Sequence, residues 1–217
     1  MSMAEPERLT QLEFHLSSSP EPVGSVRPGG RTARTRAAVT EALQAELLEV
    51  GYAGTTIERV AQRAGVAKTT VYRRWGSLTQ LVVDAFAETA GTLIPPPDTG
   101  SLEGDLRALG RASIALLSIP RLRVVFDVVV REAIHDPAAR AALTEFFAAR
   151  IELGTAIVRR AVERGDAVPG TDAAEVIRLV GAPYYARAYI TGEELDPAIA
   201  DRTAAMIALA AREGLLS

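Results

Sequence analysis

Thr56-Ile57-Glu58-Arg59-Val60-Ala61-Gln62-Arg63-Ala64-Gly65-Val66-Ala67-Lys68-Thr69-Thr70-Val71-Tyr72-Arg73-Arg74-Trp75 is the stretch that decides the fold. Ile57, Val60, Ala61 and Ala64 recur at helical spacing behind Thr56, a residue type that caps helix starts, and Glu58 puts an acid in the first turn. Gly65 breaks the pattern, as a residue free to take positive φ does. A second short helix is expected from about Lys68 to Trp75, with Ala67 at the cap position and Val71 and Trp75 on one face. Two short helices joined by a glycine turn, with small residues (Ala61, Gly65, Val66) where they cross, make a helix-turn-helix.

Reading outward, Val39, Leu43, Leu47 and Val50 place a helix over 32–50, and Gly51 stops it. Gly76-Ser77 separates the helix-turn-helix from a longer fourth helix over 78–90, whose Leu81, Val82, Ala85 and Phe86 face a core. Gly91 and Pro95-Pro96-Pro97 mark a domain joint, because three prolines cannot continue a helix. Five further helices follow, over about 101–117, 120–134, 137–164, 173–190 and 197–213. Asp172 with Glu175 has the form of a capping box, and the Asp136-Pro137 and Asp196-Pro197 pairs suit helix starts. The expected fold is all-α with about nine helices: a disordered arm (1–30), a three-helix helix-turn-helix unit with its fourth helix (31–90), and a helical bundle (91–217). The arm, rich in Ser, Pro and Gly, reads as a floppy tail; Arg27 and the basic cluster at its end leave open a minor-groove arm.

Composition narrows the function. The chain has 217 residues and no cysteine, so disulfide and thiolate chemistry are excluded. His15 falls in the arm and His135 beside a capping aspartate, which leaves little material for a metal site or a nucleophile–base pair. No glycine-rich phosphate loop follows a strand, so an enzyme, a cofactor and a metal are not expected. No apolar run is long enough to span a bilayer and no signal-peptide core is present, so a soluble cytoplasmic protein is expected. The net charge of -3 hides an asymmetry: residues 31–90 carry eight Lys/Arg against six Asp/Glu, whereas 91–217 carry fourteen against seventeen. The basic residues of the first segment gather at Arg31, Arg34 and Arg36 and at Lys68, Arg73 and Arg74.

A helix-turn-helix reads double-stranded DNA by laying its second helix in the major groove. With Val71 and Trp75 gripping the first helix, Lys68, Thr69, Thr70 and Arg73 remain for base edges. Arg73 can fork onto guanine, and a threonine offers a methyl to thymine or a hydroxyl to a base or phosphate. Tyr72 suits a phosphate through its hydroxyl, as an alternative to packing as a core tyrosine. Thr56 brings a hydroxyl and helix N–H groups to a second phosphate. Arg36, in the upstream basic cluster, joins this set, and Arg74 is left between contact and solvated face.

Gly51-Tyr52, Thr55-Thr56-Ile57, Val60-Ala61, Ala64-Gly65-Val66, Val71-Tyr72 and Trp75 resemble the N-terminal signature of the tetracycline-repressor (TetR) family, over about fifty residues from Arg36 to Val83. The resemblance implies a cytoplasmic homodimer of nine-helix chains that represses transcription until a small molecule enters the C-terminal bundle. It also implies phosphate contacts from Thr56, Tyr72 and the start of the fourth helix. At that last place family members usually carry a lysine where this chain has Leu78, so a common phosphate contact is missing and Ser77 or Thr79 is at most a weak substitute.

In the second half Phe126, Phe146, Phe147, Tyr184 and Tyr185 are the candidates to line an apolar effector site, with Arg150 or the tyrosine hydroxyls as polar contact; each alone also reads as core. The last two helices have alanine-rich faces and are expected to pair across a two-fold axis as a four-helix bundle. The effector expected is small and apolar or aromatic. The rival reading is a constitutive DNA-binding protein or activator whose bundle only dimerises.

Overall fold

Val39, Ala42, Leu43 and Leu47 fall on one helical face and are buried, which is why this stretch closes into a helix against its neighbours. In the computed structural model, which describes residues 30–90 and 95–217, it forms α1 (Gly30–Gly54). The expected arm lies outside the described residues except for Gly30, and so does Gly91. Gly51 does break helical geometry (φ 68°, ψ 175°), and a further turn to Gly54 follows the kink.

α2 (Ile57–Arg63) and α3 (Lys68–Trp75) are joined by a turn in which Gly65 takes φ +66° and the Val66 N–H donates to the Ala61 carbonyl at 3.0 Å. A residue with a Cβ would be strained at that φ. α4 (Leu78–Ala90) follows, and beyond residues 91–94 come α5 (Leu102–Leu117), α6 (Pro120–Glu132), α7 (Pro137–Arg164), α8 (Ala173–Ala186) and α9 (Ala198–Arg212). The described residues thus contain nine α-helices and no strand. Caps set several starts: Ser101 accepts from Gly104 N–H, Asp136 from Ala138 and Ala139, and Asp172 from Ala174 and Glu175. Glu175 does not complete the expected box; its carboxylate is 3.4 Å from Arg178 instead.

α8 does not end at Ala186. It runs on as a π-helical turn, Arg187–Thr191, closed by Gly192, whose N–H donates to the Arg187 carbonyl. Pro183, four residues before Arg187, has no N–H to give to the helical ladder, a local cause for the change of register. α5 packs on α9 where Gly110 meets Ala200; a Cβ on Gly110 would lie 2.8 Å from the Ala200 Cβ. α4 packs on both α6 and α7, and residues 35–217 form one compact unit, so the fourth helix belongs to both halves of the packing. Among the described residues no helix is long and apolar enough to cross a membrane, and no group of three His, Asp or Glu is placed to hold a metal ion.

Candidate functional site

The inner face of α3 is fixed first. Val71 is fully buried and Trp75 nearly so. The Trp75 indole Nε1 donates to Asp84 Oδ2 at 2.8 Å, and Arg36 closes on the same carboxylate with Nε at 3.1 Å and Nη2 at 2.9 Å. Arg36, expected on DNA, is therefore engaged inside the protein, clamping α1 to α4; Glu88 lies 3.6 Å from it as well. A bidentate Arg–carboxylate pair that also accepts an indole N–H fixes orientation more firmly than a single contact. Arg74 lies over the Trp75 ring, 5.0 Å from its centroid, and backs the same anchor.

α2 is held from the other side. Glu46 is buried and accepts from Arg59 Nε at 2.6 Å and Arg63 Nε at 2.7 Å, while Arg63 also reaches Glu49. These bonds, Arg59 first and then Arg63, hold the Glu46 carboxyl below the usual glutamate range. Two of the cations near the helix-turn-helix, Arg59 and Arg63, are thus already paired with carboxylates of α1, though both side chains stay exposed.

What remains outward is narrow. Lys68, Thr69 and Arg73 are exposed and Thr70 is half-buried. Lys68 and Arg73 form no ion pair among the described residues. Ala67 caps α3 only by position, with no side-chain hydrogen bond. Thr56 Oγ1 accepts from the Arg59 N–H at 3.2 Å, so its own hydrogen can point outward. Tyr72 is 44% exposed, and its hydroxyl donates to Glu58 Oε1 at 3.0 Å, a bond that pushes the phenol above its ordinary pKa. Ser77 Oγ accepts from the Gln80 N–H and caps α4 at the surface. Thr79 is turned inward to the Tyr52 hydroxyl at 2.8 Å, and Leu78 packs on the core. Lys68, Thr69, Thr70, Tyr72 and Arg73 are thus gathered on α3, with Thr56 and Ser77 at neighbouring helix starts, and Arg36 stands apart.

A second cluster lies in the bundle. Phe126 (α6) stacks on Tyr185 (α8) at 5.8 Å and meets Phe146 (α7) edge-on at 5.7 Å. Phe146 touches Phe147, Phe147 touches Tyr185, and Tyr185 touches Tyr184. Arg150 lies over Phe146, 4.9 Å from the ring centroid. All six candidates for an effector site therefore meet in one place. Two residues join them that were not expected at an effector site: Phe86 of α4, expected only to face a core, 5.5 Å from Phe126 and 5.4 Å from Phe146, and Tyr189 of the π turn, 5.7 Å from Phe126. Tyr189 stands four residues after Tyr185, a spacing that could have flagged it. Burial pushes the Tyr184, Tyr185 and Tyr189 hydroxyls upward.

Comparison with known proteins matches two segments of the chain. Residues 39–85 match the bacterial regulatory proteins of the tetR family, and residues 96–207, half of the chain, match the tetracyclin repressor-like C-terminal domain. The chain belongs to the TetR family of transcription regulators.

Among its relatives is AqdR of Rhodococcus erythropolis, a helix-turn-helix-type transcriptional regulator 31% identical over 153 residues, 70% of this chain and 72% of AqdR. YdeS of Bacillus subtilis, an uncharacterised regulator of the same type, is 27% identical over 79% of this chain and 87% of its own length. The crystal structure of FadR from Bacillus subtilis in complex with stearoyl-CoA shares the fold, with a TM-score of 0.66 at 15% identity over 79% of this chain and 97% of FadR. TetR-family proteins are DNA-binding regulators that bind DNA and small-molecule effectors as dimers. In this TetR-family chain the N-terminal match spans the exposed face of α3, and the C-terminal match spans every ring of the second cluster except Phe86.

Proposed function

We propose that this TetR-family regulator is a homodimeric repressor that lays α3 in the major groove of a near-palindromic operator and lets go when a small apolar or aromatic molecule enters the bundle. The observation that carries the reading is the division of α3: Val71 and Trp75 are anchored, whereas Lys68, Thr69 and Arg73 are exposed and the two cations unpaired. Arg73 and the threonines read base edges, and Lys68 reads a base or a phosphate. Thr56, Tyr72 and Ser77 bind phosphates through their hydroxyls, which set register without reading sequence. Arg36 is left out of this set, because its fork is closed on Asp84.

Dimerisation is assigned to α8 and α9. On α9 Ala205, Met206 and Leu209 are exposed on one face, with Met206 63% and Leu209 58% accessible, and Ala182 is exposed on α8. Pairing these helices across a two-fold axis buries an apolar strip that is otherwise wet. Two recognition helices then stand about 34–36 Å apart, one turn of B-DNA. A chromosome lies in the bacterial cytoplasm, and that is where such a protein acts. The effector site is assigned to the aromatic cluster, whose rings would part to admit a ligand; FadR, of the same fold, carries stearoyl-CoA. Phe86 puts a ring of α4 into that cluster, so a ligand that moves Phe126 or Phe146 acts on the helix carrying Asp84.

Selection of bound DNA from a random pool by the purified protein tests the reading. A near-palindrome with half-sites about 10 base pairs apart supports it; recovery of unrelated sequences contradicts it.

A further inference from the structure

Among the described residues Arg150 has no counter-ion. It lies on α7 one turn after Phe146, with its guanidinium over that ring at 4.9 Å. Its Nη1 is buried and without a hydrogen-bond partner, and no carboxylate pairs with it among the described residues. The polar neighbours that act on it are the hydroxyls of Tyr184 and Tyr185, and burial pulls the guanidinium below its ordinary pKa. An arginine stays charged under any physiological condition, so this is a cation held among aromatic rings with both N–H groups of Nη1 unmet. Leaving a buried donor unmet costs free energy, and leaving a charge so costs more. Arg111, Arg123 and Arg164 of the bundle, by contrast, are each paired with a carboxylate: Arg111 with Asp201, Arg123 with Asp127, Arg164 with Asp105 and Asp166.

The cluster also has direction. Tyr189, at its other side, has a buried hydroxyl that makes no hydrogen bond, and Asp127 sits beside it, already held by Arg123 at 2.7 Å. At the Tyr189 side Asp127 and Arg123, whose guanidinium lies 5.1 Å from the Tyr189 ring centroid, offset each other, so the uncompensated cation of the cluster is Arg150, while Phe126, Phe146 and Tyr185 offer ring faces to an apolar body.

We propose that the effector is a carboxylate with an apolar or aromatic body, its anionic head on Arg150 between the Tyr184 and Tyr185 hydroxyls and its body among Phe126, Phe146 and Tyr185. This rests on the effector-site reading given above and adds the charge of the ligand to it. An Arg–carboxylate pair is charge-assisted and stronger than a neutral hydrogen bond, and the buried Nη1 offers it donors that no protein group now uses.

Matched pairs that differ only in the head group test the proposal: 2-naphthoic acid against 2-naphthylmethanol and decanoic acid against 1-decanol, each titrated calorimetrically into the full-length protein. Wild type binds each acid at least about tenfold more tightly than its alcohol, the equivalent of one charge-assisted hydrogen bond. Arg150→Met removes that preference, because the acids lose far more affinity than the alcohols, and Arg150→Lys, which keeps the charge but not the fork, retains part of it. The wild-type comparison stands even if a variant folds poorly. Equal binding of acid and alcohol by wild type, or a preference that survives in Arg150→Met, overturns the anion assignment while the effector reading stands. Binding of neither member of both pairs overturns the effector reading of the cluster together with it.

Discussion

The Trp75 indole donates to the Asp84 carboxylate at 2.8 Å, so the last residue of α3 is tied to the helix that packs on the bundle. Arg36 completes the carboxylate's contacts from α1. Replacing Asp84 by Asn keeps the volume and removes the charge shared by both partners. Asp84→Asn is expected to lower stability by about 1–3 kcal/mol in urea unfolding. Trp75 is the only tryptophan of the chain, so its emission reports the anchor directly and should shift to the red.

Tyr72 cannot give its one hydroxyl hydrogen to Glu58 and to a phosphate at once. In the proposed phosphate contact of Tyr72 the Glu58 bond must break, next to a carboxylate that repels the backbone. Glu58→Gln should tighten operator binding by about threefold to tenfold at low salt, with the gain shrinking as salt rises. Fluorescence anisotropy over a salt series measures this. Unchanged or weaker binding would show that Glu58 instead holds Tyr72 in its working position.

Phe86 links α4 to the ring cluster at 5.4 and 5.5 Å from Phe146 and Phe126. Phe86→Leu fills most of the space but loses the ring contacts. Stability should fall by about 1–2 kcal/mol. Operator affinity without ligand should stay within about twofold, while the coupling between ligand and DNA, of order 1–3 kcal/mol, should drop towards zero. Operator titrations with and without 2-naphthoic acid give both numbers; undiminished release in the variant would place the coupling elsewhere.

Much of the fold was legible because its punctuation is local. Asp136-Pro137 and Gly165 bound α7 within a few residues of their own chain neighbours, and Gly65 marks its turn by the φ it must take. The register of the π turn was not legible, since Thr191-Gly192 shows where the helix stops and not how its last turn is wound. Arg36 reads as a free cation until the chain brings Asp84 to it from 48 positions away. Glu58 and Tyr72, 14 positions apart, meet only because α2 and α3 cross. The aromatic residues of the bundle could be named one by one, but Phe86 joins them only through the packing of α4 on α6 and α7.

Glu46 makes a pH-dependent contribution. Its folded carboxyl titrates below the ordinary 4.5, held down by Arg59 and Arg63. The bonds are therefore fully present above about pH 5 and are lost as pH falls through the folded value. Glu46→Gln should cost about 1–3 kcal/mol at pH 7, and the gap to wild type should close below the ordinary glutamate pKa. Chemical unfolding at pH 7, 5 and 4 checks it; a gap independent of pH would mean the ion pairs add nothing.

Arg73 is the residue that tests whether the exposed face of α3 reads sequence. Wild type and Arg73→Ala are titrated against the selected operator, against operators altered one symmetric pair at a time, and against random DNA. Arg73→Ala should lose roughly 1–3 kcal/mol on the operator, little on random DNA, and its discrimination at one symmetric position alone. An equal loss on operator and random DNA, with every position still discriminated, would reduce Arg73 to a phosphate contact and contradict that reading.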